Sequence, residues 1–191
     1  MRFLEIPRAA VLLLAACGVP SEGVNDLGFG AFDGGTCTAS VSQVAVPGAS
    51  HVAQGSPLTF TSNPPAGGDH YPDWLHWTRL YDVAQRGNYV HNAEHGGVVL
   101  LSPCASTDCP ELTEALRSIG RGLPQDPICP APINARWLVV HDPDLPPGLG
   151  VAAMAWGWTF TAPCLDQAKL QAFIAEHYGH GPEALCFDGR L

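Results

Sequence analysis

Apolar positions in the second half of the chain recur with the periods of strands and helices. The apolar runs at 97–102 and 136–141 are typical of buried strands, and 150–161 is expected to form a strand as well. In 110–119 and 165–178 the apolar residues instead recur every three or four positions, which predicts two amphipathic helices.

The first half of the chain is less regular. Residues 40–46 alternate weakly between apolar and polar, and 58–60 form a short apolar run, so both are candidate strands. Residues 63–81 combine turn formers with aromatic residues and predict neither helix nor strand. Together the elements predict a single α+β domain. It has a mainly antiparallel sheet with two helices on one face, and a long irregular region rich in His and Trp.

The start of the chain has the pattern of a bacterial lipoprotein leader. Arg2 and Arg8 are followed by small and apolar residues up to Cys17. This run is far shorter than the ~20 residues that span a bilayer. We expect residues 1–16 to be a signal peptide and Cys17 to be acylated, which would anchor the protein in the cell envelope. Gly18 after the cysteine favours the outer membrane. The alternative is an ordinary cleaved leader in which the cysteine is incidental.

Composition separates a tether from a globular domain. Residues 17–36 are rich in glycine and acidic residues without periodicity, so they are expected to be a flexible tether; residues 37–191 are the domain. The chain has 9 basic and 18 acidic residues, and Lys169 is its one lysine. Such a surface argues against binding nucleic acid and against electrostatic docking on anionic lipid. The membrane would be reached through Cys17, and protein partners are left open.

The cysteine count favours disulfides. Export would bring the six cysteines after Cys17 into an oxidising compartment, where thiols pair. No Cys-x-x-Cys spacing occurs, which argues against a zinc ribbon or a thioredoxin-type motif. We expect three disulfides, with a thiol metal site as the alternative, and the spacing favours only the pair Cys104–Cys109. The six residues are Cys37, Cys104, Cys109, Cys129, Cys164 and Cys186.

Histidines carry the candidate chemistry. Five of the eight fall between residues 51 and 95. His91 and His95 are four residues apart, so they face the same way on a helix and can reach one metal ion. His70 is the expected third ligand because Pro and Gly pairs define the path of its loop, and His51 is the expected fourth.

Other residues have supporting or reserve roles at this site. His177 and His180 are held in reserve as ligands. Glu94 is assigned to a position supporting the ligands, or to the role of general base if the protein is an enzyme.

The donor types restrict the metal. Imidazole suits zinc and copper(II), and the scarcity of Met and free thiols after the leader disfavours copper(I). No nucleotide cofactor is expected, because the G-x-G-x-x-A string at 148–153 follows prolines and precedes a strand instead of opening a helix.

Two other functions remain open from the sequence. One is a metal-dependent hydrolase or oxidoreductase with Glu94 as base. Residues 91–95 read H-x-x-E-H, the inverted zinc-peptidase pattern, but Gly96 and Gly97 end the helix that such an enzyme needs. The other is a metal-free binding or scaffold module held by disulfides.

The histidine-bearing segments also resemble a family. Residues 63–70 (NPPAGGDH), Trp74 and residues 90–100 (VHNAEHGGVVL) resemble a bacterial family known as domain of unknown function 3105. Its usual form is P-P-x-x-G-x-H followed by V-H-x-x-E-H-G-G-V. Residues 66–67 depart from it, reading Ala-Gly where Thr-Ser often stands. The resemblance covers about residues 50–184. It supplies no activity and implies only that these segments belong together.

Overall fold

One mixed sheet organises the part of the chain that the structure describes. A computed structural model describes residues 37–191, so the expected leader, lipidation site and tether lie outside the described residues. In chain order the elements are β1 (Ser40–Gln43), β2 (Arg79–Tyr81), α1 (Arg86–Glu94), β3 (Val98–Ser102), α2 (Pro110–Arg121), β4 (Trp137–His141), β5 (Val151–Ala155), β6 (Trp158–Ala162) and α3 (Gln167–His177).

The six strands lie in the order β1-β6-β5-β3-β4-β2. Strands β2 and β3 both run parallel to β4, whereas β3–β5, β5–β6 and β1–β6 are antiparallel. Leu100, in the centre of β3, pairs with Val139 on one side and Ala153 on the other. The α+β class is therefore confirmed, but the expectation of a mainly antiparallel sheet is corrected to a mixed one. Strand β2 lies in residues 63–81, where neither helix nor strand was predicted, so its parallel pairing with β4 was not foreseen.

Helices cover both faces of this sheet, not the single face expected. Alternate residues of β3 show this: Val98 and Leu100 pack with α2 and α3, whereas Val99 and Leu101 pack with α1. The cause is a reversal in direction. The chain moves from β2 over α1 to β3, then back over α2 to β4, which lies between them. Right-handed crossovers in opposite directions place their helices on opposite faces.

Several element predictions are confirmed and others are wrong. The strands near 97–102 and 136–141 and the helices near 110–119 and 165–178 are present. The stretch 150–161 is a hairpin instead of one strand, because a turn at Trp156 and Gly157 separates β5 from β6. Residues 58–60 form no strand. The described residues contain three helices, not two, since α1 was not predicted.

Three disulfides staple the domain, as expected. They join Cys37 to Cys164, Cys104 to Cys109 and Cys129 to Cys186. Every cysteine in residues 37–191 is thus paired, which rules out the alternative of a thiol metal site there. Such pairing indicates an exported protein of an oxidising, extracytoplasmic compartment. Within residues 37–191, none of the helices has the length and apolar character needed to cross a membrane.

Candidate metal centre

The C-terminal half of α1 presents three potential ligands to one side. His91, Glu94 and His95 occupy positions i, i+3 and i+4, which share a helix face. The helix stops directly after them: the amide of Gly96 donates to Ala93 O at 2.8 Å and that of Gly97 to Asn92 O at 3.1 Å. This pair of bonds is the Schellman ending, and Gly96 has the positive φ of 78° that it requires. The chain therefore leaves the helix directly after the last of the three side chains.

A backbone bridge brings the other two histidines together. His51 and His70 form an isolated parallel β-bridge, in which the amide of His70 donates to Ser50 O at 3.0 Å and the amide of Val52 to His70 O at 2.8 Å. The two imidazole rings lie 4.8 Å apart, centroid to centroid. Residues 51 and 70 are therefore placed side by side facing α1, although no regular strand surrounds them.

The donor atoms of these segments converge on the Glu94 carboxylate. Its Oε2 lies 2.9 Å from His70 Nε2, 3.3 Å from His51 Nε2 and 3.8 Å from His91 Nε2. All four ligand atoms lie within 4.8 Å of one another. Ligands at about 2.0–2.2 Å from a tetrahedral ion are themselves roughly 3.4 Å apart. The four groups thus have the spacing that a single ion requires.

Hydrogen bonds fix which ring nitrogen of two histidines is free. His70 Nδ1 lies 2.8 Å from Gly68 O, and His91 Nδ1 lies 2.7 Å from Tyr71 O. A carbonyl oxygen only accepts, so each Nδ1 carries the proton and donates. In the neutral rings the lone pair is then on Nε2, directed at the centre of the site. Metal-binding histidines are commonly oriented by such a second hydrogen bond.

A second group of donors adjoins the first. His95 Nε2 lies 2.9 Å from His91 Nε2 and 3.5 Å from Glu183 Oε2. Glu94, His95 and Glu183 form another set whose ligand atoms lie within 4.8 Å of one another. We refer to both sets together as the His/Glu cluster: His51, His70, His91, Glu94, His95 and Glu183.

Burial and charge set the protonation states. Burial lowers the pKa of His91 and of His95 to about 4, so both rings are neutral above that pH. Burial also lowers the pKa of His70, but hydrogen bonds to Glu94 and to the Gly68 carbonyl outweigh it, and the net shift is upward. Burial raises the pKa of Glu94, but its contacts with His70 and His51 outweigh this and lower it overall. The carboxylate is therefore ionised at neutral pH.

Two tryptophans enclose the first set of donors and leave one of its four groups open to solvent. The half-buried Trp74 ring lies 4.9 Å from the ring of His91 and 4.7 Å from that of His95, and Trp156 meets His70 edge-on at 5.9 Å. His70 is fully buried, whereas 48% of the His51 side chain is exposed. Access to the site is thus from the His51 side.

The two reserve ligands, His177 and His180, and the remaining histidines lie elsewhere. His177 is buried at the end of α3, where its ring stacks on Trp158 at 4.3 Å, and His180 is exposed. His76 contacts Asp188 at 2.9 Å, and His141 contacts the carbonyl of Asp82.

Two further residues were missed or assigned differently by sequence reasoning. Glu94, expected to support the ligands, has its carboxylate within 4.8 Å of the three potential imidazole ligands. Glu183 was not considered as a ligand, and nothing in its sequence neighbourhood marks it as one.

A buried ionic network lies next to the site and contacts it through the backbone of His95. Buried Arg136 donates from Nε and Nη2 to Asp126 Oδ2 at 3.0 and 2.8 Å, and Tyr178 OH donates to the same oxygen at 2.6 Å. Arg136 Nη1 also donates to the carbonyl oxygen of His95. We call Asp126, Arg136 and Tyr178 the Arg136 network. Through its bond to the His95 carbonyl, the network holds the C-terminal end of α1 in place.

Comparison with known proteins adds a family and no activity. The family model described as "Protein of unknown function (DUF3105)" matches residues 51–187, a range that includes the whole His/Glu cluster. No curated protein and no solved structure matches the chain. Because the matched range is well over half of the chain, the protein belongs to the DUF3105 family.

Proposed function

We propose that this domain binds a divalent transition-metal ion, zinc or copper(II), in the cell envelope. The ligands are Nε2 of His51, His70 and His91 and the carboxylate of Glu94. One observation carries the proposal: three imidazole nitrogens converge on a buried, ionised carboxylate. Burying several polar groups that face one another is costly unless protons or a cation balance them.

The surroundings favour a cation at this position. The cluster lies at the C-terminal end of α1, where the helix dipole is negative. The Nδ1–carbonyl bonds of His70 and His91 hold both Nε2 atoms ready as ligands. Thiol ligands are excluded among residues 37–191, since all cysteines there are paired. Met154 is fully buried in the sheet. Borderline ions that accept imidazole and carboxylate fit this donor set better than copper(I).

Metal content tests the proposal directly. The full chain, exported to an oxidising compartment and purified without a polyhistidine tag, is loaded with zinc or copper(II), dialysed and assayed by elemental analysis. At least one ion per chain should be retained. His70→Ala and His91→Ala should each retain at least one ion per chain fewer than the wild type. His141→Ala is the matched control and should retain the wild-type amount. Absence of metal from folded wild-type protein, or full retention in both site variants, would overturn the proposal.

A hydrolase is the second candidate, because one of the four proposed ligands is exposed to solvent. Catalytic zinc sites use three protein ligands and leave a fourth position to water or substrate. His51 is the one ligand of the first set that is largely exposed, so its position is the one that a water molecule or substrate can take. Zinc-loaded chain that hydrolyses nitrophenyl esters, with the activity lost in His70→Ala, would favour this candidate. The same rate with and without zinc would exclude it.

The anchor is part of the proposal. Cys17 follows a short apolar segment with the grammar of a lipoprotein leader. Acylation there would hold the metal-binding domain at a membrane surface through the segment 17–36. Wild-type protein should partition into detergent, whereas Cys17→Ser should be soluble or retain its leader. Identical partitioning of the two would contradict the anchor and would leave the metal site untouched.

A further inference from the structure

We propose that the His/Glu cluster holds two metal ions, with the Glu94 carboxylate bridging them; this rests on the function proposed above. The first ion takes His51, His70 and His91. The second takes His95 and Glu183. Six donor groups are more than one four-coordinate ion can use.

The division into two positions follows from which donors are near one another. His51, His70, His91 and Glu94 form one mutually close set, and Glu94, His95 and Glu183 form the other. Glu94 is the one residue common to both. A carboxylate has two oxygens and can bind one ion with each, and two-metal sites hold their ions about 3.5–4 Å apart. The 2.9 Å between His91 Nε2 and His95 Nε2 brings the two sets within that reach.

His95 is the buried group that points to an ion at the second position. His95 is only 2% exposed, and its Nδ1 has no hydrogen-bond partner. Its Nε2 faces His91 Nε2 and a carboxylate oxygen of Glu183. Unlike His70 and His91, it has no carbonyl that fixes its proton on Nδ1. With the proton of the ring on Nδ1, the Nε2 lone pair faces the lone pair of His91 Nε2 and an oxygen of Glu183, and a cation between these atoms would relieve the repulsion.

Glu183 is held in place by backbone contacts, although its side chain is 46% exposed. Its amide donates to Glu94 O at 3.0 Å, and the amide of Gly179 donates to Gly96 O at 2.8 Å. A Cβ atom on Gly181 would overlap the Glu94 carbonyl oxygen, so glycine is required for this close approach. The disulfide Cys129–Cys186 secures the segment that follows. The segment 179–183 therefore docks on the end of α1 and delivers a carboxylate to His95.

Stoichiometry distinguishes the two-ion site from a single one. The full chain is titrated with zinc and examined by native mass spectrometry and elemental analysis. Wild type should bind two ions per chain. Glu183→Gln should bind one, because the amide is a poor ligand, and should keep the fold. Glu176→Gln, an exposed glutamate on α3, is the matched control and should bind two.

Cobalt(II) tests whether the two ions are neighbours. Two Co²⁺ ions bridged by Glu94 should couple magnetically, so that the electron paramagnetic resonance signal of the wild type is well below that of two isolated ions. Glu183→Gln, with one Co²⁺, should show the signal of a single uncoupled ion.

Each outcome has a separate meaning. One zinc ion in both wild type and Glu183→Gln would overturn the two-ion inference and leave the proposed function standing. Two ions in Glu183→Gln with unchanged affinity, or the full uncoupled signal from two cobalt ions, would also overturn it. No ion in the folded wild type would overturn both the inference and the proposed function.

Discussion

Two buried polar groups meet at the end of α1, and they differ in how their charges are balanced. In the Arg136 network the Asp126 carboxylate accepts from Nε and Nη2 of the guanidinium and from the Tyr178 hydroxyl, and Nη1 donates to the His95 carbonyl oxygen. In the His/Glu cluster, Nε2 atoms of His51, His70 and His91 instead converge on one carboxylate. The 2.9 Å contact between His91 Nε2 and His95 Nε2 likewise joins two imidazole nitrogens and no oppositely charged pair.

The difference separates a structural role from a binding role. A buried ion pair with complete hydrogen bonding needs nothing from outside, and breaking it leaves an uncompensated charge. Clustered imidazoles with depressed pKa values have lone pairs and few protons, and a cation is the partner that would complete them. We therefore expect the network to support the fold with or without metal, and the cluster to stabilise the protein only when metal is bound.

The largest effect is expected from breaking the Arg136 network. Arg136→Met leaves the Asp126 carboxylate buried without its cationic partner, which should lower the free energy of unfolding by about 3–5 kcal/mol. Denaturant unfolding with the disulfides intact measures it. The loss should be the same in zinc and in chelator. A variant that kept its stability but lost metal would assign Arg136 to the metal site instead.

Metal loading should give the next largest effect. An ion that binds only the folded chain stabilises it by about 2.7 kcal/mol at a free concentration one hundred times the dissociation constant. Denaturant unfolding of wild type should show this gain when zinc replaces chelator. His91→Ala, which lacks a ligand of the first ion, should show a smaller gain, while His141→Ala should show all of it. An equal gain in His91→Ala would place the ion elsewhere.

Acid should weaken the metal-free domain in a defined pH range. Histidines in the unfolded chain are protonated near pH 6.5, whereas His91 and His95 in the folded chain, with a pKa of about 4, stay neutral until the pH falls to that value. Between these values the unfolded state binds more protons, so stability falls as the pH falls. His70, whose pKa is raised, acts in the opposite direction but is one residue against two.

Thermal unfolding in chelator from pH 7 to pH 4 measures this decline. The double variant His91→Asn, His95→Asn should have a flatter profile. A wild-type profile as flat as that of the variant would show that the two rings are not held neutral by burial.

The smallest effect is expected outside both groups. His141 is half-buried, and its Nδ1 lies 3.2 Å from the carbonyl oxygen of Asp82. His141→Ala should change the free energy of unfolding by less than about 0.5 kcal/mol. A loss of several kcal/mol at this position would mean that histidines in this fold are costly to remove wherever they lie. Effects at the His/Glu cluster would then not be specific to metal binding.

The same contrast explains which elements the sequence could predict. Helix α2 buries one side only, with Leu112, Leu116 and Ile119 at helical spacing, so the sequence shows the period of a helix. Helix α1 buries Gly87 to Glu94 without interruption, polar residues included. With no exposed face it has no amphipathic period, and it was not predicted.

Sequence reasoning named the potential ligands that helical spacing or turn-forming neighbours mark. The spacing of His91 and His95 pointed to a shared face, and the loop of His70 was recognised from its Pro and Gly pairs. Glu183 reaches the site through the tertiary docking of residues 179–183 on α1. Local sequence contains no signal for that contact.

Anomalous diffraction at the zinc absorption edge tests the central claim most directly. Crystals of the zinc-loaded chain should show a peak about 2.0–2.2 Å from Nε2 of His70, Nε2 of His91 and an oxygen of Glu94. His51 should complete the first coordination sphere, and a second peak beside His95 and Glu183 would reveal the second ion. Zinc-loaded crystals without a peak among these side chains, or with peaks only at surface carboxylates, would contradict the account.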